Sequence, residues 1–88
     1  MNKEIYTQEK KERLQELVAQ IDEEFIRNNR TRLYKFFVEA LEKPLIERIL
    51  EKTDGNQLRA ARILGINRNT LRSKIKKFAI NTARWKIG

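Results

Sequence analysis

Residues 55–72 read Gly55-Asn56-Gln57-Leu58-Arg59-Ala60-Ala61-Arg62-Ile63-Leu64-Gly65-Ile66-Asn67-Arg68-Asn69-Thr70-Leu71-Arg72. The spacing predicts a helix, a tight turn and a second helix. Ala61 stands four residues after Gln57, and Gly65 four after Ala61. Ala61 is small, so the second helix can cross close against the first. Gly65 can take the positive φ that a sharp turn requires. Leu64, Ile66 and Leu71 then close a small core under the crossing, and Asn67 is a good N-cap for the second helix. An ordinary helical hairpin shares the Ala and the Gly. The full set of spacings is that of a helix-turn-helix, whose second helix enters the major groove of DNA.

Charge points the same way. The chain has 88 residues with Lys+Arg 20 against Asp+Glu 12, a net of +8. Residues 1–54 hold 11 basic and all 12 acidic residues; residues 55–88 hold 9 basic residues and no acid. The excess therefore lies on and beyond the helix-turn-helix. A single-signed block implies a polyanionic partner, nucleic acid or an anionic membrane surface.

The outward residues of the second motif helix are the candidate readers. Arg can bond guanine O6 and N7 in a bidentate manner, and Asn can do the same with adenine. Arg68 and Arg72 are thus favoured as base readers, with Asn67 and Asn69 as contributors. Thr70, Lys74, Lys76 and Lys77 suit phosphates. Asn56 and Arg59, at the start of the first motif helix, sit where that helix crosses the DNA backbone.

Upstream, Leu14, Leu17, Val18, Ile21 and Phe25 form one apolar stripe at helical spacing. It predicts a first helix from an N-cap near Thr7 to a stop at Asn28–Asn29. Within it, Asp22-Glu23-Glu24 reads as a solvated helix face. A second helix is expected from about Thr31 to Lys52. Its apolar positions, among them Leu33, Phe36, Phe37 and Leu41, cover too much of the circumference for one face, so it is expected to be buried on two sides. Pro44 falls in its middle and predicts a kink; the alternative is two helices broken at Lys43. Thr53-Asp54-Gly55-Asn56 supplies turn chemistry. The motif helices follow at 57–64 and from Asn67 to about Phe78. Ala79–Gly88 reads as a tail with one aromatic anchor, Trp85.

Several classes are excluded. Cys and His are absent. That removes a disulfide scaffold, thiolate zinc, a cysteine nucleophile, and the commonest metal ligand and general base. No nucleophile, metal set or phosphate loop accompanies the carboxylates, so no enzyme, no cofactor and no small-molecule substrate are expected. No apolar run is long enough for a membrane span. Met1–Lys11, polar and mixed in charge, fits neither a signal nor a transit peptide. The expectation is a cytoplasmic chain. A domain this small buries only about 60% of its unfolded surface, so a partner chain is expected.

Gly55-Asn56-Gln57-Leu58-Arg59-Ala60-Ala61, Gly65-Ile66-Asn67-Arg68-Asn69-Thr70-Leu71-Arg72 and Lys74-Ile75-Lys76-Lys77-Phe78 closely resemble the family of Fis, the factor for inversion stimulation. Leu33-Tyr34 and Glu42-Lys43-Pro44-Leu45-Ile46 resemble its central helix. The likeness covers roughly residues 10–81. The same element ends the bacterial enhancer-binding activators of the NtrC class. The resemblance implies an all-α homodimer. Its first two helices per chain intertwine in a four-helix core, here carrying Leu14, Leu17, Val18, Ile21, Phe25, Leu33, Phe36, Phe37 and Leu41, and two helix-turn-helix units project from it. It implies DNA bending, because the two recognition helices lie closer than one turn of straight DNA. It also implies that Asn56, Arg59, Asn67, Arg68, Thr70 and Lys74 contact DNA. There are departures. Leu58 stands where the family has a hydroxyl residue that touches the backbone. Ser73 replaces a basic residue. The segment before the first helix is short and polar for the family's β-hairpin arms. The tail beyond Asn81 runs past the usual end.

The expectation is then one domain over 1–88. Dimerisation helices span about 8–54, the helix-turn-helix about 55–78, and a tail 79–88. It would bend double-stranded DNA and regulate transcription in the bacterial nucleoid. It would do so as a stand-alone Fis-like protein, favoured by Met1, or as the terminal domain of an NtrC-class activator, favoured by the short N-terminal segment and the tail. The alternative is a basic amphipathic module for a membrane surface or a protein partner.

Overall fold

The computed structural model describes residues 3–85. Among them the chain is all helical, with five α-helices and no strand. Helix α1 spans Lys3–Ala19, α2 Glu23–Asn28, α3 Leu33–Lys52, α4 Gln57–Leu64 and α5 Arg68–Lys77; a 3-10 turn, Thr82–Trp85, follows. Contacts divide the chain into two units, residues 1–34 and 35–88.

The expected first helix is two helices. Its start lies earlier than Thr7, at Lys3. Residues 3–19 contain no Gly or Pro to stop a helix, Glu4 lies in the first turn where the macrodipole favours an anion, and Gln8 Nε2 donates to Glu12 Oε1 at 3.1 Å across one turn. The helix then stops at Ala19, because Asp22 takes an extended conformation (φ −104°, ψ 175°) and its Oδ1 accepts from the Phe25 N–H at 2.8 Å. Asp22 is an N-cap, with Glu23 and Glu24 in the first turn of α2. The acidic triplet is solvent-exposed, as expected, and is in addition a helix start. Helix α2 does stop at Asn28, with Asn29 as its C-cap.

Helix α3 begins at Leu33, not Thr31: Thr31 sits at φ 67°, outside helical space. It continues unbroken through Pro44, so the alternative of two helices parted at Lys43 does not hold. Proline removes a single backbone bond, and Ile46 and Leu50 just beyond it are fully packed. Residues proposed from the family for a dimer core lie largely at the surface of the single chain. Leu14, Leu17, Val18, Phe36 and Leu41 are exposed, and Ile21, Phe25, Leu33 and Phe37 are half-buried.

The second unit has its own core. Ile46 and Leu50 from α3, Ala60 and Ala61 from α4, Leu71 from α5 and Ile80 beyond it are buried, with Ile49, Leu64, Ile66, Ile75, Phe78 and Trp85 packed around them. Buried Thr53 donates its hydroxyl to the Ile49 carbonyl at 3.0 Å, ending α3 without an orphan polar atom.

Three helix ends close in the same way. The Gly55 N–H reaches the Leu50 carbonyl (2.8 Å), the Ile66 N–H that of Ala61 (3.0 Å) and the Ile80 N–H that of Ile75 (3.0 Å). Each end places a left-handed residue in the turn: Asp54 (φ 52°), Gly65 (φ 73°) and Ala79 (φ 51°). Gly65→Ala should therefore cost about 1–2 kcal/mol by backbone strain alone, since nothing lies within 4 Å of its added Cβ. Gly55→Ala should cost more, because φ is +80° and its Cβ would meet the Trp85 Cβ at 3.1 Å. Urea midpoints of the two variants check the order.

Candidate nucleic-acid interface

The turn between α4 and α5 is built by local chemistry. Gly65 caps α4 in the left-handed conformation, with its N–H returning to the Arg62 and Ala61 carbonyls. Ile66 turns the chain inward, and Asn67, extended at φ −68°, ψ 144°, opens α5. The Asn67 Oδ1 accepts from the Asn69 N–H at 2.7 Å. Asn56 plays the same part for α4, accepting from the Arg59 N–H at 3.1 Å. In both, one lone pair of the side-chain oxygen is committed to the cap, and the Nδ2 amide is left to donate. Ala60 and Ala61 are buried against α5 beside fully buried Leu71, as the small-residue spacing predicts.

The crossing leaves two shallow grooves on the outer side. One is lined by Gly55, Asn56, Gln57, Leu58, Arg68 and Arg72. The other is lined by Asn69, Arg72, Ser73 and Lys76. Arg72 forms the wall they share. The structure thus brings three of the expected base readers, Arg68, Asn69 and Arg72, and two of the expected backbone contacts, Asn56 and Lys76, to two adjoining grooves. Gln57 and Leu58 join them, and the spacing argument assigned them no role. Asn67, Thr70 and Arg59 are exposed nearby on the same two helices.

Lys74 and Lys77 stand differently. Lys74 is half-buried and paired with Glu42, and the Lys77 Nζ lies 3.7 Å from Glu39 Oε1. The pairs run in opposite order, 39 with 77 and 42 with 74, so two acids spaced by three on α3 meet two lysines spaced by three on α5. Farther along α3, Glu47 takes Arg84 at 3.3 Å. These three acids were missed as partners. For Glu39 and Glu42 the signal is the matching i, i+3 spacing in the two helices, which becomes readable only once the helices are known to cross; Glu47 and Arg84 carry no such spacing. Partly exposed pairs of this kind contribute little stability each, about 0–1 kcal/mol. They do remove part of the positive charge of the block from the outward face.

Among the described residues no helix is long and apolar enough to cross a membrane.

Residues 37–78 match the family described as bacterial regulatory protein, Fis family. The chain is 53% identical over 49 residues to the DNA-binding protein Fis of Buchnera aphidicola subsp. Acyrthosiphon pisum (strain 5A), covering 56% of this chain and 50% of that one. It is 49% identical over 51 residues to the DNA-binding protein Fis of Vibrio cholerae serotype O1 (strain M66-2), covering 58% of this chain and 52% of the relative, and equally so to that of Vibrio vulnificus (strain CMCP6). The chain spans about half the length of the curated relatives it matches. The matched segment contains most of α3, the left-handed turn at Gly65 and the whole of α5, and it is over this segment that the chain is similar to the Fis family of bacterial regulatory proteins.

Proposed function

We propose that this chain binds double-stranded DNA as a homodimer, places α5 in the major groove and bends the duplex between its two motifs. The observation that carries the reading is the outer face of α4 and α5. That face is exposed and basic, bears no acid, and surrounds two grooves that share Arg72. Arg68, Asn69 and Arg72 are exposed and line these grooves, and they are assigned to base edges. Asn67 contributes as a donor through its amide while its oxygen caps the helix. Asn56, Arg59, Thr70, Lys74, Lys76 and Lys77 are assigned to the backbone. Lys74 and Lys77 would exchange Glu42 and Glu39 for phosphate.

The homodimer is supported by the apolar residues that the single chain leaves at its surface. Leu14, Leu17 and Val18 on α1 are exposed, as are Tyr34, Leu41 and Leu45 on α3. A second copy would cover them, and exposed apolar area of this extent marks an interaction surface. The relatives' name, DNA-binding protein Fis, supports a stand-alone nucleoid protein over an activator's terminal domain. A membrane-surface role for α5 is disfavoured, because it would need Leu71, fully buried, and Ile75, packed on the core.

Gel shift and footprinting at stated salt on circularly permuted duplexes test binding, site and bend together. Light scattering at micromolar concentration tests the dimer. A monomer with no duplex affinity would overturn the proposal. Salt titration separates the lysines. Lys76→Ala should weaken all sequences alike and flatten the slope of log affinity against log salt by about one. Lys77→Ala should flatten it by less, because Glu39 already neutralises part of that charge.

A further inference from the structure

We propose that residues 79–85 form a strap that positions the start of α4, with Trp85 as its positioning residue. The inference rests on the DNA reading above. After α5 the chain reverses at Ala79, in the left-handed region at φ 51°, and seals Ile80 into the core, where it is 7% exposed. The Asn81 Oδ1 accepts from the Ala83 N–H at 3.1 Å, nucleating the 3-10 turn Thr82–Trp85. Arg84 reaches Glu47 of α3 at 3.3 Å and lies over the Trp85 ring, 4.2 Å from its centroid. Trp85 packs on the core, and its Cβ lies 3.1 Å from where a side chain on Gly55 would begin.

Gly55 is the last residue before Asn56, the cap of α4 and a wall of the groove that contains Arg68 and Arg72. The strap therefore presses on the one stretch of backbone that sets where Asn56 and Arg59 stand relative to α5. A side chain there would be strained at φ +80° and would meet the Trp85 Cβ at 3.1 Å, so it would push the strap by a few tenths of an ångström. If Trp85 merely filled core volume, its loss would lower stability and leave the two ends of the interface equally affected. Positioning makes a different demand. Loss of Trp85 should disturb the α4 end of the groove and spare the α5 face.

The test is a double-mutant cycle on the full chain, with a labelled mixed-sequence duplex at fixed salt. Trp85→Ala should weaken binding roughly three- to tenfold, and Asn56→Ala should then add little, although it costs several-fold in the unaltered chain. Lys76→Ala should cost the same in both backgrounds. Trp85→Phe should restore the Asn56 effect. Glu47→Gln, which releases Arg84 without entering the core, should reproduce the pattern more weakly and serves if Trp85→Ala does not fold. Backbone amide shifts of the DNA-free protein should change at residues 54–59 and stay fixed at 69–73. Additive losses for Trp85 and Asn56, or shifts spread evenly over α5, would overturn the strap while leaving DNA binding intact. A wild-type chain that binds no duplex would overturn the DNA reading, and with it the presentation of Asn56 to phosphate.

Discussion

Leu71→Ala is expected to cost the helix-turn-helix unit about 2–5 kcal/mol, the largest effect of any single truncation considered. Leu71 is fully buried, one of six buried apolar residues that make the core among the described residues. Ala60 and Ala61 opposite it have no side-chain length with which to fill the vacated space. Small domains hold only about 5–15 kcal/mol in total, so the variant should lose a large fraction of its margin. At this size each kcal/mol lowers Tm by roughly 4–8 °C, which thermal unfolding by circular dichroism resolves easily. A loss under about 1 kcal/mol would mean that α5 is not held by this contact. Duplex binding measured well below the new Tm should change far less than stability, since Leu71 faces away from both grooves.

Arg68→Ala should show the opposite division. Arg68 is exposed and lines the groove shared with Asn56 and Arg72, so its removal should leave Tm nearly unchanged. Binding to a preferred site should fall by about 1–3 kcal/mol, and discrimination at one base position should relax, because a bidentate guanidinium contact is replaced by nothing. Non-specific binding should weaken only modestly. Equal losses on preferred and random duplexes would reduce Arg68 to a phosphate contact. Unchanged affinity on the preferred site would remove it from the interface altogether.

Much of the second unit is legible in the residues themselves. Asn67 caps α5, Gly65 is left-handed, and Leu71 is buried, each as its position in the motif predicts; Asn56, read as turn chemistry, proves to cap α4 in the same way. These are rules of one or two turns of chain: a carboxamide next to orphan N–H groups, a residue without Cβ where φ must be positive. The stretch before residue 31 is harder to read. A single apolar stripe runs through Leu14, Val18, Ile21 and Phe25, yet the helix is interrupted at Gln20–Asp22. Apolar periodicity carries across a break of a few residues, so it does not report one. The N-cap chemistry of Asp22, followed by two glutamates, does report it, and competes with the stripe for the same residues.

The basic block was visible as a count, and its placement on a helix-turn-helix as a pattern, because charge and capping are properties of residues near one another in the chain. How that charge is divided was settled by packing. Glu42 and Lys74, Glu39 and Lys77, and Glu47 and Arg84 are each more than thirty positions apart, and no local rule joins them. They meet because burying Ile46, Leu50 and Leu71 fixes how α3 and α5 cross. The same burial folds Ile80 back and lays Trp85 against Gly55, so a stretch that reads as a tail with one aromatic anchor becomes a strap at the edge of the groove. Long-range pairs of this kind follow from a packed geometry, and one chain read in order does not contain it.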